Sequence, residues 1–320
     1  MIMIYDSKEK AKLIKKIKVV SVSDDNYSQH LGVMLYSLFE HHINYNNKID
    51  VFVIDGGISE ENKIKIEDIG KEFITPIKFL KIDKKIYQNF KISHHLNHSI
   101  YYRISIPELL NSSTKKIIYV DCDLIFKEDI SKLWEIDISE CFMAAVEDPK
   151  FNRYIDLQMP INSKYFNTGV MLINLEKWRK NNISEKVRKF IKNNSEKIIL
   201  WDQDGFNAIL YNKWKELPPK WNQQTIMFEI GADETNFSKK EFMEAIKNPS
   251  IIHYTTSSKP WQYTNEHPLK NEYYKYLKKT PWRKYSPPDR NFNNILKRIA
   301  KKLLPKKMID FLRRIKNRLK

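Results

Sequence analysis

Short β-branched runs alternate with helical periodicity through the first half of the chain, and that alternation restricts it to few architectures. Ile17 to Val22 and Ile49 to Ile54 have the length and branching of buried strands. Between them Leu31, Met34, Leu35, Leu38 and Phe39 recur at helical spacing. Asp55-Gly56-Gly57 ends the second run. Ser59-Glu60-Glu61-Asn62 then opens a second helix, with acids in the first turn where the helix dipole favours them. Ile77 to Ile82 reads as a third strand. Tyr101 to Leu110 predicts a helix bent or interrupted at Pro107. Ile117 to Val120 is the next strand. Strands separated by helices in this order imply a parallel, doubly wound α/β sheet.

The later elements are less regular. Phe142 to Val146 predicts a strand ending at Glu147-Asp148-Pro149, and Gly169 to Ile173 predicts another. Leu175 to Ile191 predicts a helix, and Asp202 the cap of a helix reaching Leu210. Ile251 to Tyr254 is a short strand. Pro281, Pro287 and Pro288 mark a linker. Two amphipathic helix patterns follow, divided by Pro305. The first carries Ile295, Leu296, Ile299, Leu303 and Leu304, the second Met308, Ile309, Phe311, Leu312, Ile315 and Leu319.

Composition excludes several classes. With 320 residues, 42% hydrophobic and 30% charged, the chain can bury a large core and is not of disordered type. No apolar run reaches the ~18 residues a membrane span needs. Met1 to Lys16 lacks the apolar core and cleavage site of a signal peptide. Cys122 and Cys141 are too few for a disulfide framework or a zinc cluster. The expected location is cytoplasmic. The net charge of +17 is concentrated at one end, because eleven Lys or Arg against one acid from Lys297 to Lys320 contribute +10. No nucleic-acid partner is expected of a body whose basicity is so localised.

Four segments carry chemistry. Ile117 to Phe126 (IIYVDCDLIF) ends a strand in two carboxylates, Asp121 and Asp123, one residue apart. Ligands of open α/β sheets bind beyond the carboxyl ends of strands. Hard oxygen donors there point to a divalent cation, and a cation there to a phosphate-bearing substrate. A solvated acidic turn is the other reading. Extended backbone would place both carboxylates on one side and Cys122 on the other, packed as a small hydrophobe. Val20 to Tyr27 (VSVSDDNY) ends the first strand with Asp24, Asp25 and Asn26. A carboxylate and an amide can read a base edge, with Tyr27 as a stacking face, or the segment is an Asx turn. Tyr165 to Trp178 (YFNTGVMLINLEKW) places Asn167-Thr168-Gly169 before a buried strand, which suits close approach to a polyol or is a simple turn. Ile251 to Trp261 (IIHYTTSSKPW) supplies His253 and, six residues on, Lys259. An imidazole can complete a site begun by two carboxylates, and a lysine can neutralise phosphate. A lone histidine is more often structural.

Together, in this order, the four segments resemble retaining glycosyltransferase family 8. The nearest likeness is to bacterial lipopolysaccharide α-galactosyltransferases and α-glucosyltransferases. The resemblance runs from about Ile17 to Trp261 and continues more weakly into the basic tail. It implies a GT-A fold: an α/β, Rossmann-like mixed sheet flanked by helices over residues 17–280. An N-terminal extension (1–16) would precede it, and a linker with a basic amphipathic helical tail (281–320) would follow. Asp121 and Asp123 match the family's Asp-x-Asp metal ligands, and His253 its third protein ligand. Asp24 and Asn26 match positions that hold uridine, and Tyr27 one that stacks on uracil. Arg103 matches an arginine near the donor sugar and pyrophosphate. Asn167 and Asp202 match donor-sugar contacts, and Gln203 the residue beneath the anomeric carbon. Asp148 matches a position at the sugar and acceptor end, and Lys259 the phosphate-contacting lysine. One departure is Thr256, where that branch has a glycine. Threonine keeps the backbone contact to phosphate only if the local φ is negative.

The resemblance implies a UDP-hexose donor, galactose or glucose, and an oligosaccharide or glycolipid acceptor such as a lipopolysaccharide or lipooligosaccharide core. The mixed oxygen and nitrogen ligand set leans to Mn²⁺, with Mg²⁺ possible. Gln203 is an amide and a poor nucleophile, so front-face, return-type substitution is expected rather than a covalent intermediate. The tail can lie on an anionic membrane surface through residues 290–320, placing the protein on the inner face of the cytoplasmic membrane. Its apolar face can instead pack on protein. An inverting GT-A transferase, a self-glucosylating glycogenin-like primer and a non-catalytic nucleotide- or nucleic-acid-binding protein are the alternative readings.

Overall fold

The computed structural model describes residues 16–42, 49–92, 97–149, 151 and 153–303. Expectations that fall on residues 1–15 and 304–320, including the second amphipathic helix of the tail, lie outside the described residues. In chain order the elements begin with β1 (Ile17–Ser23), α1 (Ser28–His42), β2 (Ile49–Asp55), α2 (Glu60–Glu72) and β3 (Ile77–Leu80). Then come α3 (Ile106–Leu109), β4 (Lys116–Val120), β5 (Leu124–Phe126), α4 (Ser131–Trp134), β6 (Met143–Glu147) and β7 (Phe166–Asn174). The chain continues through α5 (Leu175–Lys180), α6 (Ile183–Asn193), α7 (Trp201–Leu210), β8 (Trp214–Glu216) and β9 (Gln223–Gln224). The last elements are α8 (Lys239–Lys247), β10 (Ile251–His253), α9 (Lys270–Leu277) and α10 (Phe292–Leu303).

Seven strands form one sheet in the order β3-β2-β1-β4-β7-β6-β8. β3, β2, β1 and β4 are mutually parallel, as the alternation predicts. β7 runs antiparallel to both its neighbours, so the sheet is mixed rather than wholly parallel. β6 and β8 resume the common direction. The reversal has a consequence for the site. The start of β7 lies at the edge where β1, β2, β4 and β6 end. Residues 166–169 therefore join the carboxyl ends of the other strands, where ligands of α/β sheets bind.

Alternate residues of each strand feed two separate cores. Val19, Val51, Ile118, Val120 and Leu172 belong to one apolar cluster with α1, α2 and α9. Val20, Ile54, Ile117, Tyr119 and Met171 belong to the other, with α5, α6 and α7. Both faces are covered, so the strands read as continuous apolar runs rather than alternating ones. A second sheet, β5-β10-β9, is built from short strands. Asp121-Cys122-Asp123 is the corner between the two sheets, since β4 belongs to the first and β5 to the second.

Three local expectations are corrected. Leu175 to Ile191 is two helices, because Asn182 takes a left-handed φ of 52° and breaks the run. Asparagine tolerates that conformation better than most residues, and its side chain carries no apolar period. Asp202 is not a cap. Helix α7 begins at Trp201, and the carboxylate at its N-terminus is that of Asp204, which accepts from the backbone N–H groups of Ile199 and Leu200 at 2.8 and 2.9 Å. Tyr101 to Leu110 is mostly 3₁₀ (His98–Ser105), with Pro107 in the first turn of α3, where it costs no hydrogen bond. From the stretch read as a linker, Trp282 and Tyr285 pack against the first apolar cluster.

Ile118 lies fully buried in the central strand, whereas Ile64 on α2 is exposed. Ile118→Ala should lower the unfolding free energy by about 2–5 kcal/mol. Ile64→Ala should change it by no more than about 0.5 kcal/mol. Urea unfolding followed by circular dichroism measures both, and equal effects would contradict this placement of the core.

Candidate active site

Pairing of the two sheets brings the candidate ligands together. His253 ends β10, and its antiparallel partner in β5 is Leu124, the residue after Asp123. The backbone N–H of Tyr254 donates to the carbonyl of Asp123 at 3.1 Å, locking that register. Asp121, Asp123 and His253 then offer ligand atoms that all lie within 4.8 Å of one another. His253 Nε2 stands 3.3 Å from Asp123 Oδ1 and 3.9 Å from Asp121 Oδ2. Cys122 points the other way, as strand geometry requires. Its thiol donates to the carbonyl of Val22 at 3.0 Å, and burial pushes its pKa up to about 12, so it stays protonated and inert.

Two cations hold the carboxylates. Lys259 Nζ lies 2.5 Å from Asp123 Oδ2. Burial alone would raise the pKa of Asp123, but Lys259 and His253 outweigh it and hold the carboxyl well below the usual range. The buried Arg103 pairs with Asp121 Oδ1 at 3.0 Å and with Asp202 Oδ2 at 2.7 Å. Burial opposes the charge on Arg103, yet Asp121 and Asp202 more than compensate and raise its pKa. Asp202 goes the other way. Burial pushes it up to about 7 although Arg103 opposes that rise, and the charge of Asp121 adds to it. One guanidinium is thus shared between two carboxylates, and Asp202 is the more deeply buried. Tyr119 also donates to Asp121 Oδ1 at 2.7 Å.

Amides orient the rest. Asn167 Oδ1 accepts from the backbone N–H of Gly169 and from Asn222 Nδ2, both at 2.9 Å. That leaves its Nδ2 group to donate to a ligand. Asn222 Oδ1 lies 2.8 Å from His253 Nδ1. Gly169 makes room for His253. A Cβ there would meet His253 Cε1 at 2.1 Å and Asp121 Oδ2 at 3.0 Å, so the missing side chain is the space the imidazole occupies. Gln203 Oε1 accepts from the backbone N–H and the hydroxyl of Thr168, at 3.0 and 3.2 Å, which turns Gln203 Nε2 towards Asp148 Oδ2 at 3.4 Å. Arg103 in turn donates to the carbonyl of Thr168 at 3.1 Å.

Nine of the expected residues thus join one network: Asp121, Asp123, His253, Lys259, Arg103, Asp202, Asn167, Gln203 and Asp148. The first-strand residues lie beside it. Asp24 accepts from the backbone N–H of Tyr27 at 2.9 Å and from Asn97, so it shapes the turn as an Asx residue does. Asp25 accepts from the Ser59 N–H and from Asn62, at 2.8 Å each. The Tyr27 ring meets Trp261 edge-on at 5.9 Å, and Trp261 stacks on His30 at 3.4 Å. Asn26, Gln29, His30, Trp261, Gln262 and Tyr285 line a cavity of about 270 Å³. Asn222, Thr168 and Tyr119 carry site contacts that sequence reasoning did not assign. For Tyr119 a signal existed, since it lies two residues before Asp121, near the end of β4, the spacing that puts side chains on one side of extended backbone. For Asn222, within a polar stretch, there was none.

Comparison with known proteins gives the chain's family and fold. The sequence model described as Glycosyl transferase family 8 matches residues 18–265. General stress protein A of Bacillus subtilis (strain 168) is 42% identical over 269 residues, covering 82% of this chain and 94% of that protein. Lipopolysaccharide 1,2-glucosyltransferase of Escherichia coli (strain K12) is 27% identical, over 83% of this chain and 79% of its own. Among solved structures, the galactosyltransferase LgtC in complex with donor and acceptor sugar analogues superimposes with a TM-score of 0.76 at 21% identity, over 85% of this chain and 98% of that one. That likeness establishes the fold, GT-A, as expected.

The raised pKa of Asp202 has a signed consequence. A carboxyl that titrates near 7 when folded and near 3.8 when unfolded contributes stability that is present below pH 4. That contribution is lost as pH rises through 7. Asp202→Asn should therefore flatten the fall in urea midpoint between pH 4 and 7 that this group causes, an effect of a few kcal/mol. An unchanged slope would mean that Asp202 ionises normally in the folded protein.

Proposed function

The chain belongs to glycosyltransferase family 8, and from that premise we propose that it transfers a hexosyl group, galactose or glucose, from a UDP-sugar to a saccharide acceptor with retention of anomeric configuration. The observation that carries the reading is the convergence of Asp121, Asp123 and His253 at the carboxyl edge of the sheet, beside Lys259 and Arg103. The residues fit a divalent cation. Their ligand atoms lie within 4.8 Å of one another, and the absence of a side chain at Gly169 makes the cradle that holds the imidazole against the carboxylates. Two oxygen donors and one nitrogen favour Mn²⁺ over Mg²⁺. Bound there, the cation supplies Lewis-acid stabilisation of charge on a leaving diphosphate.

The chain's own residues have the following parts. Lys259 exchanges Asp123 for phosphate oxygens and neutralises them. Arg103, anchored by Asp121 and Asp202, places fixed positive charge by the donor sugar. Thr256 does not have left-handed backbone, so its side chain causes no strain and its N–H can still face phosphate. Asn26, which lines the cavity with Trp261 and His30, and Tyr27, whose ring meets Trp261, receive the uridine, with Asp24 holding their turn. Asn167 offers its Nδ2 to a sugar hydroxyl.

Two features favour front-face substitution. Asp202 is only 1% exposed and ion-paired, so it is no candidate for a covalent nucleophile. The oxygen of Gln203 already accepts two bonds from Thr168, which makes a poor nucleophile poorer. Gln203 and Asp148 then bound the space beneath the transferred sugar. The acceptor class is an oligosaccharide or glycolipid, with lipopolysaccharide as the example set by the name of the Escherichia coli relative.

Among the described residues no helix is long and apolar enough to cross a membrane. Helix α10 exposes Phe292, Leu296 and Ile299, which share one face at helical spacing. With Lys297 and Arg298 beside them, and further basic residues beyond, this face suits peripheral contact with an anionic bilayer.

A screen of UDP-sugars for UDP release, with and without Mn²⁺, tests the activity. One hexose donor should support release with Mn²⁺ and none in EDTA. Asp121→Ala, Asp123→Ala and His253→Ala should each lower it by at least 100-fold, and full activity in EDTA would refute the metal assignment. For the tail, replacing Phe292, Leu296 and Ile299 together by Asp should abolish co-sedimentation with anionic vesicles. Equal binding by the parent and the variant would remove the membrane from the account.

A further inference from the structure

A metal-binding imidazole must present one nitrogen as a bare lone pair, and the partner of its other nitrogen decides which. Around His253 that choice can be traced to a backbone group whose polarity is not in question. The N–H of Gly169 donates to the side chain of Asn167 at 2.9 Å, so the Asn167 atom facing it is the carbonyl oxygen. That same oxygen lies 2.9 Å from a side-chain atom of Asn222, which must be the Nδ2 donor. The other end of the Asn222 amide, Oδ1, is thereby turned to His253 Nδ1 at 2.8 Å. An amide oxygen can only accept, so Nδ1 carries the proton. Nε2 is then the nitrogen left for a cation, and it faces Asp123 and Asp121. Asn222 and His253 are both buried, and β9, which follows Asn222, pairs with β10. Water is shut out of the relay, and sheet pairing fixes its length.

We propose that Asn222 is the positioning residue of the cation site. Through Asn167 it transmits the polarity of the Gly169 N–H to His253 and so sets the ring's tautomer and orientation. This inference rests on the divalent-cation reading of the site, and goes beyond it by assigning a role to a residue that touches neither cation nor substrate. The arrangement also gives Asn167 two duties. Its oxygen belongs to the relay, while its Nδ2 stays on the ligand side.

The test uses the full-length chain with Mn²⁺ as the probe. ¹⁵N NMR of metal-free protein with labelled histidine, at a pH where imidazoles are neutral, reads the tautomer of His253. Mn²⁺ affinity is read by calorimetry, and folding by circular dichroism. Wild-type His253 should be protonated on Nδ1. Asn222→Ala should lose that preference and weaken Mn²⁺ binding about 10–100-fold. Asn222→Asp, which keeps an acceptor at Nδ1 but has no donor for Asn167 Oδ1, should restore the tautomer without restoring the hold on Asn167. Two results would overturn the proposal: protonation on Nε2 in the wild type, or unchanged tautomer and Mn²⁺ affinity in a folded Asn222→Ala. Wild-type protein with the Nδ1–H tautomer that takes up no Mn²⁺ would sink the cation reading while leaving the relay in place.

Discussion

The backbone bond from Tyr254 to the carbonyl of Asp123 joins what the rest of the site depends on. It ties the corner where the chain leaves the seven-stranded sheet to the short sheet that carries His253. Without that register, an Asp-x-Asp at the end of β4 is two carboxylates facing solvent. With it, an imidazole is held against them from a strand more than a hundred residues away. The reversal of β7 completes the enclosure, because it delivers Asn167, Thr168 and Gly169 to the edge where the other strands end. Gly169 then yields its side-chain volume to the histidine ring.

Charge is balanced with little to spare. Buried carboxylates are tolerated only when paired. Asp123 has Lys259, while Asp121 and Asp202 divide a single arginine. Lys259 holds Asp123 ionised against its burial, whereas burial pushes Asp202 towards neutrality although Arg103 opposes it. Lys259 is itself held by two acceptors, Asp123 and the carbonyl of Tyr254.

Much of this was legible in the residues, and the misses have physical causes. β1, β2 and β4 showed as apolar runs because both faces of the sheet are covered, and the acids at their ends marked the ligand edge. Periodicity carries no direction, so the reversal of β7 was invisible locally, although the family resemblance implied a mixed sheet. β5 was hidden in the run after Asp123, since three apolar residues cannot announce a second sheet. Asp202 looked like a cap because local patterns do not see Arg103, which lies 99 positions earlier in the chain. Asn222 gave no signal, for a positioning amide has no period and no motif of its own.

The central claim is that the corner between the two sheets is a divalent-cation site made by Asp121, Asp123 and His253. Anomalous diffraction from crystals soaked in Mn²⁺ tests it most directly. The account predicts one strong peak within about 2.0–2.6 Å of a carboxylate oxygen of each aspartate and of His253 Nε2. A saturating soak with no peak at this corner, or a peak bound through His253 Nδ1, would contradict it.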